Sequence, residues 1–216
     1  MPEEYKNNIV VGDARILAKR IPDESVDLIF TDPPYAKEYL DLYDWLGKIA
    51  SRVLKDNGFV MTYCGNIWVH EVIRRMGLSL DFFFQYVEVN NGNSTILWPR
   101  KTIVRYKPIV CFRKKESKAL PRTNVLGVWQ SNGSDKRFHK WGQSEGTARY
   151  YIDCFSKSGN IVLDPFSGGG TAAAVSKKLG REFVSFEIDK DAAEIAKGRI
   201  GQAYTPSALH QQLDLV

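Results

Sequence analysis

The chain reads as one α/β domain, and three observations along the sequence predict it. Short apolar runs that suit buried strands alternate with stretches of helical spacing. One such run, Val26 to Phe30, delivers Thr31-Asp-Pro-Pro-Tyr35, and a second, Asn160 to Leu163, delivers Asp164-Pro-Phe-Ser-Gly-Gly-Gly-Thr171. Both motifs therefore sit at the carboxyl ends of strands, where open α/β sheets place their ligands. A length of 216 residues is enough for one such domain with a full core. The hydrophobic share of 44% and aromatic share of 12% are those of a folded globule, which excludes a disordered chain.

In chain order, Asn8 to Val11 is a short strand closed by Gly12-Asp13. Ala14, Ile16-Leu17 and Ile21 suggest a brief helix, with Asp13 at its N-cap or free to touch a ligand. The strand Val26 to Phe30 follows, interrupted only by Asp27. Tyr39 to Leu54 has helical spacing, and Asn57-Gly58 is the expected stop. Phe59 to Tyr63 is the next strand, and Ile67 to Met76 a helix ended by Gly77. Leu78 to Val89 and Thr102 to Phe112 read as an antiparallel pair at one edge of the sheet, joined by a polar loop that begins at Asn90 to Asn93. Thr147 to Phe155 reads as a helix before the strand Asn160 to Leu163. Ala172 to Leu179 continues from the glycines as a helix, and the strand Phe183 to Phe186 runs into Glu187-Ile-Asp189. From Gly201 the pattern weakens.

Between Phe112 and Thr147 the composition turns basic. Arg113-Lys114-Lys115, Lys118 and Arg122 face only Glu116 in opposition, and Lys136-Arg137 with His139-Lys140 form a second cluster among Trp129, Phe138 and Trp141. These clusters read either as a solvated face or as a grip on phosphates. The formal net charge of +5 mildly favours an anionic partner. Cys64, Cys111 and Cys154 fit neither a disulfide framework nor a zinc site, so reduced core thiols are expected. No signal peptide opens the sequence and no apolar run is long enough to span a bilayer, so the expectation is a soluble, intracellular, cytoplasmic protein.

The two motifs carry the chemistry. Asp-Pro-Pro alone is an ordinary turn signal. Here, though, two prolines forbid helix and sheet pairing and push Asp32 into a stiff extended turn at a strand end. A carboxylate, two proline carbonyls and the Tyr35 ring then make an acceptor-rich pocket for a planar group bearing an amine. In the second motif, glycines let the backbone approach a ligand and the helix start offers free amides. Glu187 follows about 20 residues later, the placement of an acid that binds ribose hydroxyls. The alternative is a structural strand-to-helix turn with a surface acid.

Gly168-x-Gly170-x-x-Ala173 formally matches a dinucleotide fingerprint, which makes a nicotinamide or flavin oxidoreductase the rival reading. Chain order opposes it, because the glycines leave room for only one further βα unit and a dinucleotide needs a second half. A P-loop is excluded, since no Gly-Lys-Ser/Thr follows the glycines. A single nucleoside carrying an amino-acid group fits better, and S-adenosylmethionine meets that description.

Together, Thr31-Asp-Pro-Pro-Tyr35 and Asp164-Pro-Phe-Ser-Gly-Gly-Gly-Thr171 resemble the catalytic and cofactor motifs of DNA amino-methyltransferases. Their order, catalytic motif first, is similar to the circularly permuted β class. Gly12-Asp13, Lys107-Pro-Ile-Val-Cys-Phe112 and His139-Lys-Trp-Gly-Gln-Ser144 agree with it, and the likeness covers about Asn8 to Ile200. The resemblance implies a Rossmann-like methyltransferase fold with a mixed seven-stranded sheet filling residues 1–216. It also implies a target-recognition insert, short here, at about 113–140. It assigns Asp32, Pro33, Pro34 and Tyr35 to the target base, with Asp32 and the Pro33 carbonyl accepting from the amine and Tyr35 stacking on the flipped ring. It assigns Asp13, Asp164, Phe166, Gly168, Gly170, Thr171 and Glu187 to S-adenosylmethionine, with no metal required. The partner it implies is double-stranded DNA, with a homodimer or partner subunit open because the insert is short. Asp at the head of the catalytic motif accompanies adenine N6 more often than cytosine N4 in this family, so N6-adenine is the expected target and N4-cytosine the alternative. A non-catalytic nucleic-acid-binding module is the remaining alternative, and the intact Asp32 and Tyr35 speak against it.

Overall fold

Eight strands form one mixed sheet in the computed structural model, which describes residues 1–90, 94–131 and 144–202. The strands are β1 (Asn8–Val11), β2 (Val26–Thr31), β3 (Leu54–Tyr63), β4 (Leu80–Asn90), β7 (Tyr106–Lys114), β8 (Val128–Ser131), β9 (Ile161–Asp164) and β10 (Glu182–Glu187). A separate two-stranded hairpin is made by β5 (Thr95–Leu97) and β6 (Thr102–Val104). The order across the sheet is β1-β10-β9-β2-β3-β7-β4-β8, and β7 alone runs against its neighbours. The expected sheet had seven strands; β8, which pairs with β4 in parallel, is the eighth. Its run of four residues lies inside the basic stretch, where composition hides a strand signal.

The helices are α1 (Ala14–Leu17), α2 (Leu40–Val53), α3 (Val69–Met76), α4 (Glu145–Phe155), α5 (Thr171–Lys178) and α6 (Lys190–Gln202). α1 to α3 pack one face of the sheet, where Ile29, Val60 and Leu163 meet Tyr43, Leu46, Ala50 and Met76. α4 and α5 cover the other face, where Leu28, Met61 and Cys111 meet Tyr151, Ile152 and Val175. α6 packs beyond them, its Ala193 and Ala196 against Ile9, Phe183 and Ala173. Strands buried on both sides carry near-continuous apolar runs, which is why β2 is buried at every position.

Asp27 is the exception in that run, and its partners explain it. Its carboxylate accepts two hydrogen bonds from Lys55 Nζ, both 2.9 Å, and one from the Ile161 amide, 2.8 Å. The acid thus ties β2 to its neighbours on both sides. The helix α2 ends at Val53 rather than at Asn57-Gly58, and β3 begins at Leu54 and runs through those two residues. Pairing of Val26 with Leu54 extends the strand past a local turn signal. The three cysteines are buried and free, as expected of core thiols. Among the described residues, no helix is long and apolar enough to cross a membrane.

Candidate active site

Strand β2 leads through α2 to β3 on one side, while β9 leads through α5 to β10 on the other. The sheet therefore reverses its winding between β2 and β9, and these two strands are neighbours, with Leu28 opposite Val162 and Ile29 opposite Leu163. A crevice opens outside the carboxyl ends at such a switch point. Both motifs read from the sequence flank this one crevice.

The link between them is a side-chain contact. Thr31 Oγ1 donates to Asp164 Oδ1 at 2.7 Å, and the Phe166 amide donates to the same oxygen at 3.1 Å. Burial pushes the Asp164 carboxyl up to about 7, despite those two donors and with the charges of Asp32 and Glu187 adding to the rise. On the other side of the Asp-Pro-Pro loop, Tyr35 donates its hydroxyl hydrogen to Asp32 Oδ1. Burial, and then the Asp32 charge, raise that phenol well above its ordinary value, so it stays a donor at any physiological pH. Tyr35 rests against Gly65 at the end of β3: a Cβ there would lie 3.2 Å from Tyr35 Cβ. Pro33 is buried and Pro34 exposed.

The glycine loop is held from two directions. Glu187 Oε2 accepts from the Gly168 amide at 2.7 Å, and Glu187 Oε1 accepts from the Asp189 amide at 2.9 Å. Asp189 in turn caps α6 by accepting from the amides of Asp191 and Ala192. From behind, the buried Arg199 of α6 donates to the Gly169 carbonyl at 3.0 Å and to Thr171 Oγ1 at 2.9 Å, and it pairs with Glu145 at 2.7 Å. Gly168 has φ of 47° and open space where a Cβ would stand. Gly170 is different. It has φ of 71°, and a Cβ there would come within 2.8 Å of Ala196 Cβ, so that glycine serves the packing of α5 on α6. Phe166 packs edge-on against Trp45 at 5.9 Å between ring centres.

Asp13 N-caps α1, accepting from the Arg15 amide at 2.8 Å, and it pairs with the Arg15 guanidinium at 2.7 Å. That side-chain partner holds the carboxyl below the usual range. The residue stands at the same edge as Glu187, because Val11 is opposite Glu187 in the β1–β10 ladder. With Trp45 and Ile16 it lines an open hollow of about 690 Å³ between α1 and α2, which neither Asp32 nor Gly168 reaches.

Sequence reasoning missed several residues that shape the site. Thr31 enters the sequence reading only as the start of a motif, and Gly65, Arg199 and Glu145 do not enter it at all. No signal in a single sequence marks them, because each acts through a partner distant in the chain. The expected DNA grip at Arg113-Lys114 meets a different geometry. Arg113 pairs with Phe59 in the middle of β3, four residues and roughly 13 Å along the strand from the Ile109–Tyr63 pair at its carboxyl end. Lys114 is held by Glu24 at 2.6 Å and Asp56 at 3.2 Å, and Arg113 donates to the Ala119 carbonyl. Arg122 binds carbonyls of Asp153 and Ser156. The second cluster, Lys136-Arg137 and His139-Lys140, with Phe138 and Trp141, lies outside the described residues, as does the loop from Asn91 to Asn93.

A switch-point crevice with a proline-braced acid on one lip and a glycine loop plus an acid on the other is the ligand-binding geometry of doubly-wound α/β proteins. Comparison with known proteins narrows the class: residues 26–198 match the family described as DNA methylase, N6_N4_Mtase, and the chain belongs to that family of DNA amino-methyltransferases. The chain is 27% identical to the type II methyltransferase M.HinfI of Haemophilus influenzae over 91% of its own length and 69% of the relative's. It is 28% identical to M.BglII of Bacillus subtilis, over 90% and 69%. Among solved structures, the cytosine-N4-specific PvuII DNA methyltransferase superposes with a TM-score of 0.76 at 21% identity, covering 88% of this chain and 85% of that one. The M1.HpyAVI complex with S-adenosylmethionine gives 0.75 at 23%, covering 89% and 98%. The methyl donor is S-adenosylmethionine. The oxidoreductase alternative falls with this placement.

Proposed function

We propose that the chain methylates the N6 amine of adenine in double-stranded DNA, with Asp32 and the Pro33 carbonyl as acceptors for that amine. An aromatic amine is a weak nucleophile because its lone pair is delocalised into the ring. Two acceptors draw the nitrogen toward tetrahedral geometry and stabilise the positive charge that develops on it. The amine replaces the Tyr35 hydroxyl at Asp32, and the freed ring stacks on the extruded base beside Pro34. Extrusion costs a few kcal/mol, offset by those contacts.

The residues present fit S-adenosylmethionine. Gly168 leaves open space where a Cβ would stand, and Glu187, hydrogen-bonded to its amide, gives an acid beside that space that suits ribose hydroxyls. When bound, the cofactor would supply an activated methyl group to the amine held by Asp32 and the Pro33 carbonyl, and the proton released by the methylated amine would pass to the Asp32 carboxylate or to solvent. On this reading Glu187 receives the ribose and Gly168 and Gly170 border the methionine end. Phe166, with the exposed Ile188, offers apolar surface to the adenine, and Asp13 lies at its far end. Thr171 and Asp164 hold the loop in shape. The short recognition insert proposed at about 113–140 belongs to the same reading, with Arg113 and Lys114 excepted from contact with DNA.

The observation that carries the proposal is the Thr31–Asp164 hydrogen bond, because it supports a transfer between neighbouring acceptor and donor loops. Within this family Asp at the head of the motif accompanies adenine more often than cytosine, and that tendency supports the N6-adenine reading. Purified protein is incubated with the methyl donor and DNA from a methylation-deficient host, followed by nuclease digestion and mass spectrometry of the nucleosides. N6-methyladenine is expected. N4-methylcytosine without N6-methyladenine overturns the base assignment and leaves the methyltransferase standing.

A further inference from the structure

We infer that the β5–β6 hairpin is the arm with which the enzyme holds duplex DNA beside the extruded base. The inference rests on the methyltransferase reading above and adds the surface that meets the substrate. The hairpin rises from the catalytic edge. Val89 of β4 is opposite Tyr106 of β7, and the Cys64 amide donates to the Pro108 carbonyl at 3.2 Å. Asn66 Nδ2 donates to the Tyr106 carbonyl at 3.3 Å, next to the Gly65 against which Tyr35 rests. The hairpin base and the base-stacking residue are thus separated by a single short turn.

Its chemistry is that of a nucleic-acid contact. From Ser94 to Lys107 the sequence holds Arg100, Lys101, Arg105 and Lys107 and no acid. Arg100, Lys101 and Arg105 are exposed and carry no ion pair among the described residues, in contrast to Lys114 and Arg122. Between these charges the hairpin exposes Trp98 at 75%, Ile103 at 65% and Ile96 at 47%. An apolar set of this size costs free energy in water, and a rim of cations makes a neutral or basic protein partner a poor cover for it. A polyanion with stacked rings matches both features.

The turn is built stiff. Trp98 to Arg100 is a single 3-10 turn with Pro99 inside it, and Lys101 closes it at φ of 47°, with Thr102 Oγ1 donating to the Arg100 carbonyl at 2.9 Å. A pre-formed turn loses little conformational freedom on binding. Arg100, Lys101 and Arg105 take phosphates on the strands that flank the target, and Trp98 packs against the bases uncovered when the target leaves the stack.

The test compares the full chain with Arg100→Gln/Lys101→Gln, Trp98→Ala and Trp98→Phe. Anisotropy of a labelled duplex across a salt series gives the slope of log affinity against log salt, and tritiated methyl transfer to DNA from a methylation-deficient host gives activity. The double variant is expected to lower the slope by about 1.8, at about 0.9 per lost phosphate contact. Trp98→Ala is expected to lower transfer about tenfold with cofactor affinity unchanged, and Trp98→Phe to restore most of it. Folded variants with the wild-type slope and wild-type transfer overturn the hairpin assignment and leave the enzyme's function intact. A dimer that Trp98→Ala splits in sedimentation, with the salt slope unchanged, overturns it in favour of self-association. A wild-type protein that binds the cofactor but transfers no methyl group to this DNA overturns the functional reading itself, and the hairpin assignment with it.

Discussion

Thr31 and Asp164 are 133 positions apart in the chain, yet the threonine hydroxyl sits 2.7 Å from the aspartate oxygen, with both residues buried. This contact joins the end of β2, which presents Asp32, to the end of β9, which opens the glycine loop. The loop that carries Asp32 and the glycine loop are thereby held as one unit.

Removing the hydroxyl tests that coupling. Thr31→Val keeps the volume and the β-branched shape but leaves the buried Asp164 oxygen without one donor. A loss of about 1–3 kcal/mol in stability is expected, the cost of leaving a buried polar group unsatisfied. Thr31→Ser should recover most of it in denaturant melts. Transfer rate should fall more than cofactor affinity in the valine variant; equal losses in the two would assign Thr31 to folding alone.

Asp164 gives a pH dependence with a definite sign. Its folded pKa, about 7, lies above its ordinary carboxylate value of 3.8, so the folded state holds a proton that the unfolded state releases. The stability linked to this group is fully present below about pH 4 and is lost as pH rises toward 7. Asp164→Asn keeps an acceptor oxygen for Thr31 and does not titrate. Its melts should show a flatter stability profile between about pH 4 and 7 than those of the wild type, and an identical profile would sink the assignment.

On the proposed mechanism, Asp32 is the acceptor on which transfer depends. Asp32→Ala should abolish methyl transfer and leave cofactor binding by calorimetry largely unchanged. Asp32→Asn retains one acceptor oxygen without its charge, so a partial rate is expected. Near-normal turnover in the alanine variant is incompatible with the mechanism.

On the proposed reading Glu187 has two duties, since its oxygens also accept from the amides of Gly168 and Asp189. Glu187→Ala should weaken cofactor binding by about 1.5–3 kcal/mol, the scale of hydrogen bonds to a charged group. It should also lower thermal stability, because two amides lose their acceptor. Unchanged affinity in a folded variant removes Glu187 from the cofactor site.

Lys114 supplies the control for the DNA contacts. Its partners Glu24 and Asp56 lie at the amino-terminal edge of the sheet, away from Asp32. Lys114→Gln should therefore leave the salt slope of DNA binding unchanged. Exposed pairs of this kind contribute about 0.2–1 kcal/mol, so stability should shift little. A slope that falls by about 0.9 would return Lys114 to the DNA surface.

The sequence by itself determined the chemistry and most of the framework. Two prolines fix their own φ and remove amide donors, so Asp32 had to stand in a turn at a strand end. Glycines after Asp164 had to open a helix that could approach a ligand. Apolar periodicity placed β1, β2, β9, β10 and the helices α2 and α5 within a residue or two, because each buries a continuous face. Tertiary structure decided what depends on partners far along the chain. Pairing with Val26 drew Leu54 to Gly58 into β3 past a local stop signal. Asp27 proved to be a buried brace once Lys55 and Ile161 came beside it. The switch between β2 and β9 brought Thr31 to Asp164, and antiparallel β7 carried Arg113 to the far edge while lifting the basic hairpin beside Tyr35. Local propensity acts over a few residues, whereas strand order and register are set by the packing of the whole sheet.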